Sequence, residues 1–275
     1  MSTQNDLILV KTKNRVATLT MNNPRRLNGW TVDMQAALRD ALSAAAAAED
    51  VQAVVLTGTG EYYSAGADLS GSLRFDLPRK THQLIERQNY RLFDAFLQFP
   101  KPILAAVNGA ALGAPVTSAT LCDAILASDR ASFRTPFARF GLPPEGCSSI
   151  HFERLIGAEA AERILGAEGW RPDANEALAI GLINEVIPHE RLNERAQAIA
   201  EGWVADEKIR SFRGGSTKEE LVETNRKESK GIADAFLSAR FLMSQYRFLR
   251  SKKKTTPALT FLALRMTRPA WALLL

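Results

Sequence analysis

The chain has 275 residues, 46% hydrophobic and 24% charged, with a net charge of +5 and a pI of about 9.3. That composition is ordinary for a folded protein long enough to bury a sizeable core. The positive charge is spread along the chain, which describes a mildly basic surface suited to anionic ligands and excludes a long polycationic arm.

The two cysteines, Cys122 and Cys147, are too few for a disulfide framework and read as small buried apolar residues. His82, His151 and His189 are far apart, and no Cys-x-x-Cys pair accompanies them, so no metal site is expected. The first residues lack the charged start and apolar run of a secretory signal. No transmembrane segment is expected either. The nearest candidate, Pro257 to Leu275, is interrupted by Arg265, Arg268 and Pro269.

In chain order, Leu7–Val10 and Val16–Met21 read as strands separated by a polar turn, and Asn22-Asn23-Pro24 stops the second. Thr31 is a good N-cap for a helix over about 32–48, with Met34, Leu38 and Leu42 at helical spacing. Val51–Thr57 is a buried-type strand, followed by a loop over 62–69. A helix over about 81–98 comes next, then a strand over 103–107 framed by Pro100 and Pro102. The small residues Ala110 to Ala119 open a helix, and Ala124–Ala127 is a further strand with Ala131-Ser132-Phe133 close behind. Asp173 starts a helix that Gly181 ends, and from about Glu190 the pattern is almost wholly helical. Alternating strands and helices predict an α/β domain with right-handed crossovers. The division is placed near residue 200, into a core over 1–200 and a helical region over 201–275 with an atypical apolar tail.

Four segments carry a resemblance. They are Asn23-Pro24-Arg25-Arg26-Leu27-Asn28, Tyr63-Ser64-Ala65-Gly66-Ala67-Asp68-Leu69, Ala106–Ala114, and Cys122–Ser128. In this order and spacing they resemble the crotonase (enoyl-CoA hydratase/isomerase) superfamily over about residues 5 to 250. The stretches 128–137 and 141–149 are similar to the peroxisomal type of Δ3,Δ2-enoyl-CoA isomerase. The resemblance implies a ClpP/crotonase-like spiral of ββα units, a C-terminal helical region, and homotrimers or hexamers. It implies an acyl-CoA substrate and no further cofactor, CoA being part of the substrate.

That chemistry requires an enolate, and small residues let a thioester oxygen approach two backbone N–H donors closely. By resemblance the donors are the amides of Ala67 and Ala114, although Pro115 restricts the backbone of Ala114. The two glutamates that hold water in the hydratases fall at Thr117 and Phe137, so both carboxylates are missing. One remains: Glu145, in Pro143-Pro144-Glu145-Gly146, matches the isomerase base, which takes a proton from C2 and returns it at C4. Taken alone it reads equally as a surface carboxylate on a Pro-Pro loop. An apolar pocket of Phe133, Phe137 and Phe140 is the expected cause of a raised pKa. Arg26, with Arg25, lies in the turn that contacts CoA in the family, where solvated arginines are the other reading. Ser64, Ala65, Gly66, Asp68 and Leu69 complete the expected ligand loop, with Asp68 holding it in place.

The resemblance implies a peroxisomal location. The chain ends Leu273-Leu274-Leu275 instead of with a Ser-Lys-Leu-type address, and a cytoplasmic location is the alternative. The tail over 255–275 reads as an oligomer contact, a membrane-surface segment or an extension. Two other functions share these residues: another crotonase-type acyl-CoA reaction, and a non-catalytic acyl-CoA-binding or RNA-binding relative. No aromatic–basic platform stands out, so no nucleic-acid partner is expected.

Overall fold

The computed structural model describes residues 7–67 and 77–275. The expected ligand-loop residues Asp68 and Leu69 lie outside them.

The first strands, β1 (Ile8–Lys13) and β2 (Val16–Met21), form an antiparallel hairpin. α1 (Val32–Ala47) starts where the N-cap predicts, with the Thr31 side chain accepting from the Met34 N–H at 3.1 Å. Three turns of a spiral follow, each with a long strand, a short strand and a helix. The first is β3 (Ala53–Gly58), β4 (Tyr62–Ser64) and α2 (Pro78–Leu97). The second is β5 (Ile103–Val107), β6 (Ala110–Leu112) and α3 (Ala114–Thr120). The third is β7 (Ala124–Ser128), β8 (Ser132–Arg134) and α4 (Phe137–Phe140).

The chain then runs through α5 (Ser148–Ile156), α6 (Ala158–Leu165), α7 (Ala174–Ala179), β9 (Glu185–Ile187) and α8 (Leu192–Ala205). Three helices close it: α9 (Lys218–Phe236), α10 (Ala239–Ser251) and α11 (Thr255–Trp271). The expected boundary near residue 200 falls inside α8.

The long strands form one sheet in the order β1-β2-β3-β5-β7-β9, parallel from β2 onward, and the short strands form a second, parallel sheet β4-β6-β8. The inner strands β3, β5 and β7 are covered on both faces, which is why they are almost continuously apolar instead of alternating. Val54, Leu56, Ala105 and Val107 face the main core with α1 and α2, while Ala53, Val55, Leu104 and Ala106 face α8. At about 25 cal/mol per Å² of apolar surface removed from water, each fully buried Leu or Phe contributes about 2 kcal/mol. The edge strand β1 is mostly exposed and carries Lys11 and Lys13, which discourage pairing with another chain.

Three expectations need correction. The segment 62–69 does not start as a loop, because Tyr62–Ser64 pairs with β6. Residues 110–112 are strand and the helix begins only at Ala114, a switch that small residues permit and local periodicity does not reveal. α2 begins at Pro78 instead of near Thr81, since proline fits the first helical turn. The tail forms a helix, α11, with Pro269 inside its last turn. Among the described residues no helix is long and apolar enough to cross a membrane.

Candidate active site

Hydrogen bonds of Leu27 and Asn28 bring the first two motifs together. The turn Pro24–Arg26 ends at Leu27 and Asn28, both in the left-handed region, which asparagine tolerates. The buried Asn28 side chain donates to Thr59 O at 2.9 Å and Tyr62 O at 2.8 Å, and accepts from Asn23 N at 2.8 Å. The Ala65 N–H donates to Leu27 O at 2.9 Å. The arginine turn is thereby locked beside the loop that follows β4, with Arg25 and Arg26 exposed on it.

Ser64, expected among the ligand contacts, has its side chain buried. Its hydroxyl donates to Asn28 O at 2.7 Å and accepts from Gly66 N at 3.2 Å, so it shapes the loop from inside. Gly66 has φ +82, and a Cβ there would stand 2.5 Å from Leu112 O. Only glycine allows this approach, and it presses the 64–67 loop against the strand leading to Ala114. Ala65 is half-buried and Ala67 is exposed. Trp30 bridges to Ala67 through its own N–H, which donates to Gly66 O at 2.8 Å.

Gly113, with φ 65 and ψ −130, turns the chain into α3, so that Ala114 is the first helical residue and Pro115 occupies a position where a missing N–H costs nothing. Among the described residues, neither the Ala67 N–H nor the Ala114 N–H has a protein acceptor. An exposed residue and the first residue of a helix ordinarily leave their N–H without a protein acceptor.

The Glu145 turn meets α3 at Gly146. A Cβ on Gly146 would stand 2.6 Å from Thr117 Oγ1 and 2.5 Å from the Phe93 ring. Thr117 in turn donates to Ala114 O at 3.1 Å. The Phe137 ring lies against Gly113, at 4.0 Å from the position of a Cβ there. Thr117 and Phe137, the positions without carboxylates, therefore border the segment that carries Ala114.

Glu145 is half-buried as a residue, but protein atoms enclose its carboxyl group. That burial pushes its pKa up to about 7; the Asn89 hydrogen bond opposes the rise and the negative charge of Glu228 adds to it. The three rings expected around Glu145 lie in different places, with Phe137 against Gly113. Phe133 is buried in the core, Phe140 turns to the C-terminal helices with its ring 5.5 Å from that of Phe248, and the ring against Gly146 is Phe93.

Sequence reading missed the polar support of this carboxylate. Asn89 Nδ2 donates to Glu145 Oε2 at 2.6 Å, and Ser229 Oγ donates to Asn89 Oδ1 at 2.9 Å. Asn225 Nδ2 donates to Tyr90 O at 3.0 Å, pinning α9 to α2. A signal existed. Asn89 continues the stripe of Leu92, Phe93 and Phe96, and Asn225, Glu228 and Ser229 continue that of Leu221 and Ile232. Polar residues on a core-facing stripe need partners inside the protein.

A sequence model described as enoyl-CoA hydratase/isomerase matches residues 11–253. The chain belongs to this family. It is 34% identical to enoyl-CoA delta isomerase 2 of Rattus norvegicus over 261 residues, 90% of this chain and 64% of that protein. It is 39% identical to the peroxisomal enoyl-CoA delta isomerase 3 of Mus musculus over 188 residues, 66% of this chain and 57% of that protein. The chain thus spans less than two thirds of the length of these isomerases. The crystal structure of an enoyl-CoA hydratase/isomerase from Pseudoalteromonas atlantica superposes with a TM-score of 0.77 at 31% identity, covering 89% of this chain and 97% of that one. The α/β spiral expected from the four segments is therefore the crotonase fold.

Proposed function

We propose that this family member is a Δ3,Δ2-enoyl-CoA isomerase. The observation that carries the reading is the enclosed Glu145 carboxyl with its raised proton affinity, on a turn packed against α3, with Thr117 and Phe137 where a hydratase needs its two acids. The names of the rat and mouse relatives support it.

In this scheme the thioester oxygen of a 3-enoyl-CoA accepts from the Ala67 and Ala114 amides. The Glu145 carboxylate removes a proton from C2, and the electron pair spreads into a dienolate whose negative charge rests on that oxygen. The C2–C3 double bond forms as the C3–C4 bond becomes single, and the Glu145 carboxylic acid returns the proton to C4. No proton is gained or lost overall, so one base suffices. A pKa near neutrality suits a group that must both take and give a proton. The Asn89 amide steadies one carboxylate oxygen during the transfer. In the same reading the exposed Arg25 and Arg26 meet the phosphates of CoA. No metal or redox cofactor enters the scheme. Peroxisomal residence and assembly as trimers or hexamers belong to the same reading, supported by the family and by the name of the mouse relative.

The test is turnover of 3-hexenoyl-CoA to the 2-enoyl product, with hydration of 2-hexenoyl-CoA measured in parallel. Isomerisation is expected to exceed hydration, and Glu145→Gln is expected to lower kcat by about a hundredfold or more, as loss of a general base does. A wild type that hydrates but does not isomerise, or an undiminished Glu145→Gln, would remove the reading.

A further inference from the structure

Glu228 is a buried carboxylate, 7% exposed, and among the described residues no Lys, Arg or His pairs with it. Both of its oxygens accept instead from backbone. Cys147 N–H donates to Oε2 at 2.6 Å, and Ser149 N–H donates to Oε1 at 2.8 Å. These two amides flank Ser148, the first residue of α5. Cys147 stands at the N-cap of α5 but makes no side-chain cap, because its thiol donates to Leu221 O at 3.1 Å. Glu228 therefore caps α5 from another helix. A carboxylate whose two oxygens both accept is best ionised, and a helix N-terminus favours that charge.

This capped turn carries Glu145. Gly146 and Cys147 follow it with φ +67 and +66, and Glu145 O accepts from Ser148 Oγ at 2.7 Å. A left-handed cysteine is held only when its surroundings fix it. Along α9, Ser229 supports the Glu145 side chain through Asn89, and its neighbour Glu228 holds the backbone.

We infer that Glu228 is a positioning residue for Glu145: by holding the Cys147 and Ser149 amides it fixes the turn that aims the Glu145 carboxyl, and it sets a second negative charge near that carboxyl. The inference rests on the reading of Glu145 as the base. Burial raises the proton affinity of both carboxyl groups, and the negative charge of Glu228 raises that of Glu145 further. The other groups facing the pair are the Asn89 amide, the Cys147 and Ser149 N–H groups, and the Cys147 thiol. That thiol is itself pushed up by burial and by Glu228 and stays neutral.

The test uses the full chain with Glu228→Gln and Glu228→Asp. The Gln variant removes the charge and turns an NH2 group toward one of two N–H donors, so one amide loses its acceptor. Isomerase kcat is expected to fall about tenfold or more with little change in KM, the pattern of lost transition-state geometry. The acid limb of its pH profile is expected to move to lower pH. Glu228→Asp, shortened but charged, is expected to lose kcat while keeping the wild-type pH midpoint. Titration of 13C-glutamate signals by NMR, with Glu145→Gln assigning the resonance, reads the Glu145 midpoint without any turnover. It therefore separates failure of this inference from failure of the isomerase reading. A role in stability alone would lower the melting temperature and leave the Glu145 midpoint in place. A Glu228→Gln protein with the wild-type midpoint or the wild-type kcat overturns the inference. If that variant does not fold, wild-type kcat in Glu228→Asp overturns it.

Discussion

Glu145 illustrates how one residue sets function against stability. Its carboxyl has a pKa of about 7 in the folded protein against 4.5 for a free glutamate, so the folded state holds the proton more tightly than the unfolded chain. The sign follows from linkage: stability is unaffected below about pH 4.5, falls as pH rises from there to about 7, and stays reduced above it. At 1.36 kcal/mol per unit the full cost at pH 8 is about 3 kcal/mol. Glu145→Gln removes the titrating group and can keep the bond from Asn89, so the variant is expected to melt higher than the wild type at pH 8. The gap should narrow toward pH 4.5. Melting curves at the two pH values check this, and a gap independent of pH would mean that the carboxyl is solvated. With Glu145 as the proposed base, the same pKa has the opposite benefit for turnover, and isomerase kcat/KM is expected to rise with pH through about 7 as it ionises.

At the scale of elements, the site is assembled by close approaches that only glycine allows. Gly66 lets the loop after β4 meet Leu112 at the end of β6, and Gly146 lets the Glu145 turn meet α3 and α2. Gly146→Ala would force its Cβ against Thr117 Oγ1 and the Phe93 ring at a positive φ. Overpacking of this kind costs about 1–3 kcal/mol. A shift of the turn by even an ångström would also cost about a hundredfold in kcat. Parallel measurement of thermal melting and isomerase turnover tests the pair of effects, and an alanine variant with wild-type kcat would show that the turn accommodates a methyl group without moving Glu145. The α2–α9 pairing is the other element-scale device, because it places Asn89 and Ser229 in contact across 140 positions of sequence.

Across the whole molecule, the C-terminal helices are tied to the site by an apolar cluster separate from the main core. Phe241, Leu242 and Phe261 are buried in it, and Phe140, Leu142, Leu264 and Trp271 pack around them. Phe140 and Leu142 lead directly to Pro143-Pro144-Glu145, so α10 and α11 support the approach to the candidate base. The Phe261 ring sits edge-on to Phe241 with centroids 6.4 Å apart. Phe261→Ala is expected to destabilise the protein by about 3 kcal/mol through the cavity it leaves. Urea unfolding checks the figure. An unchanged midpoint would mean that α11 unfolds independently of the rest.

The sequence by itself determined the alternation of strands and helices, and its resemblance to the crotonase superfamily supplied the spiral and the candidates Glu145, Ala67 and Ala114. Apolar runs, the Thr31 and Asp173 caps and the positions of glycine and proline are local signals, and local signals survive in a one-dimensional string. The β4 and β6 strands were not legible, because a strand of three residues has no period long enough to read. Asp173 capped α7 as expected, with a reciprocal bond from Glu176. Only the tertiary structure decided that Ser64 faces inward, that Phe93 lies against Gly146 in place of Phe140, and that Asn89, Ser229 and Glu228 support the candidate base. The proton affinity of Glu145 belongs to the same group, since desolvation and a like charge from α9 arise only when distant segments meet. Such effects depend on which groups are brought within a few ångströms, and sequence spacing carries no record of that distance.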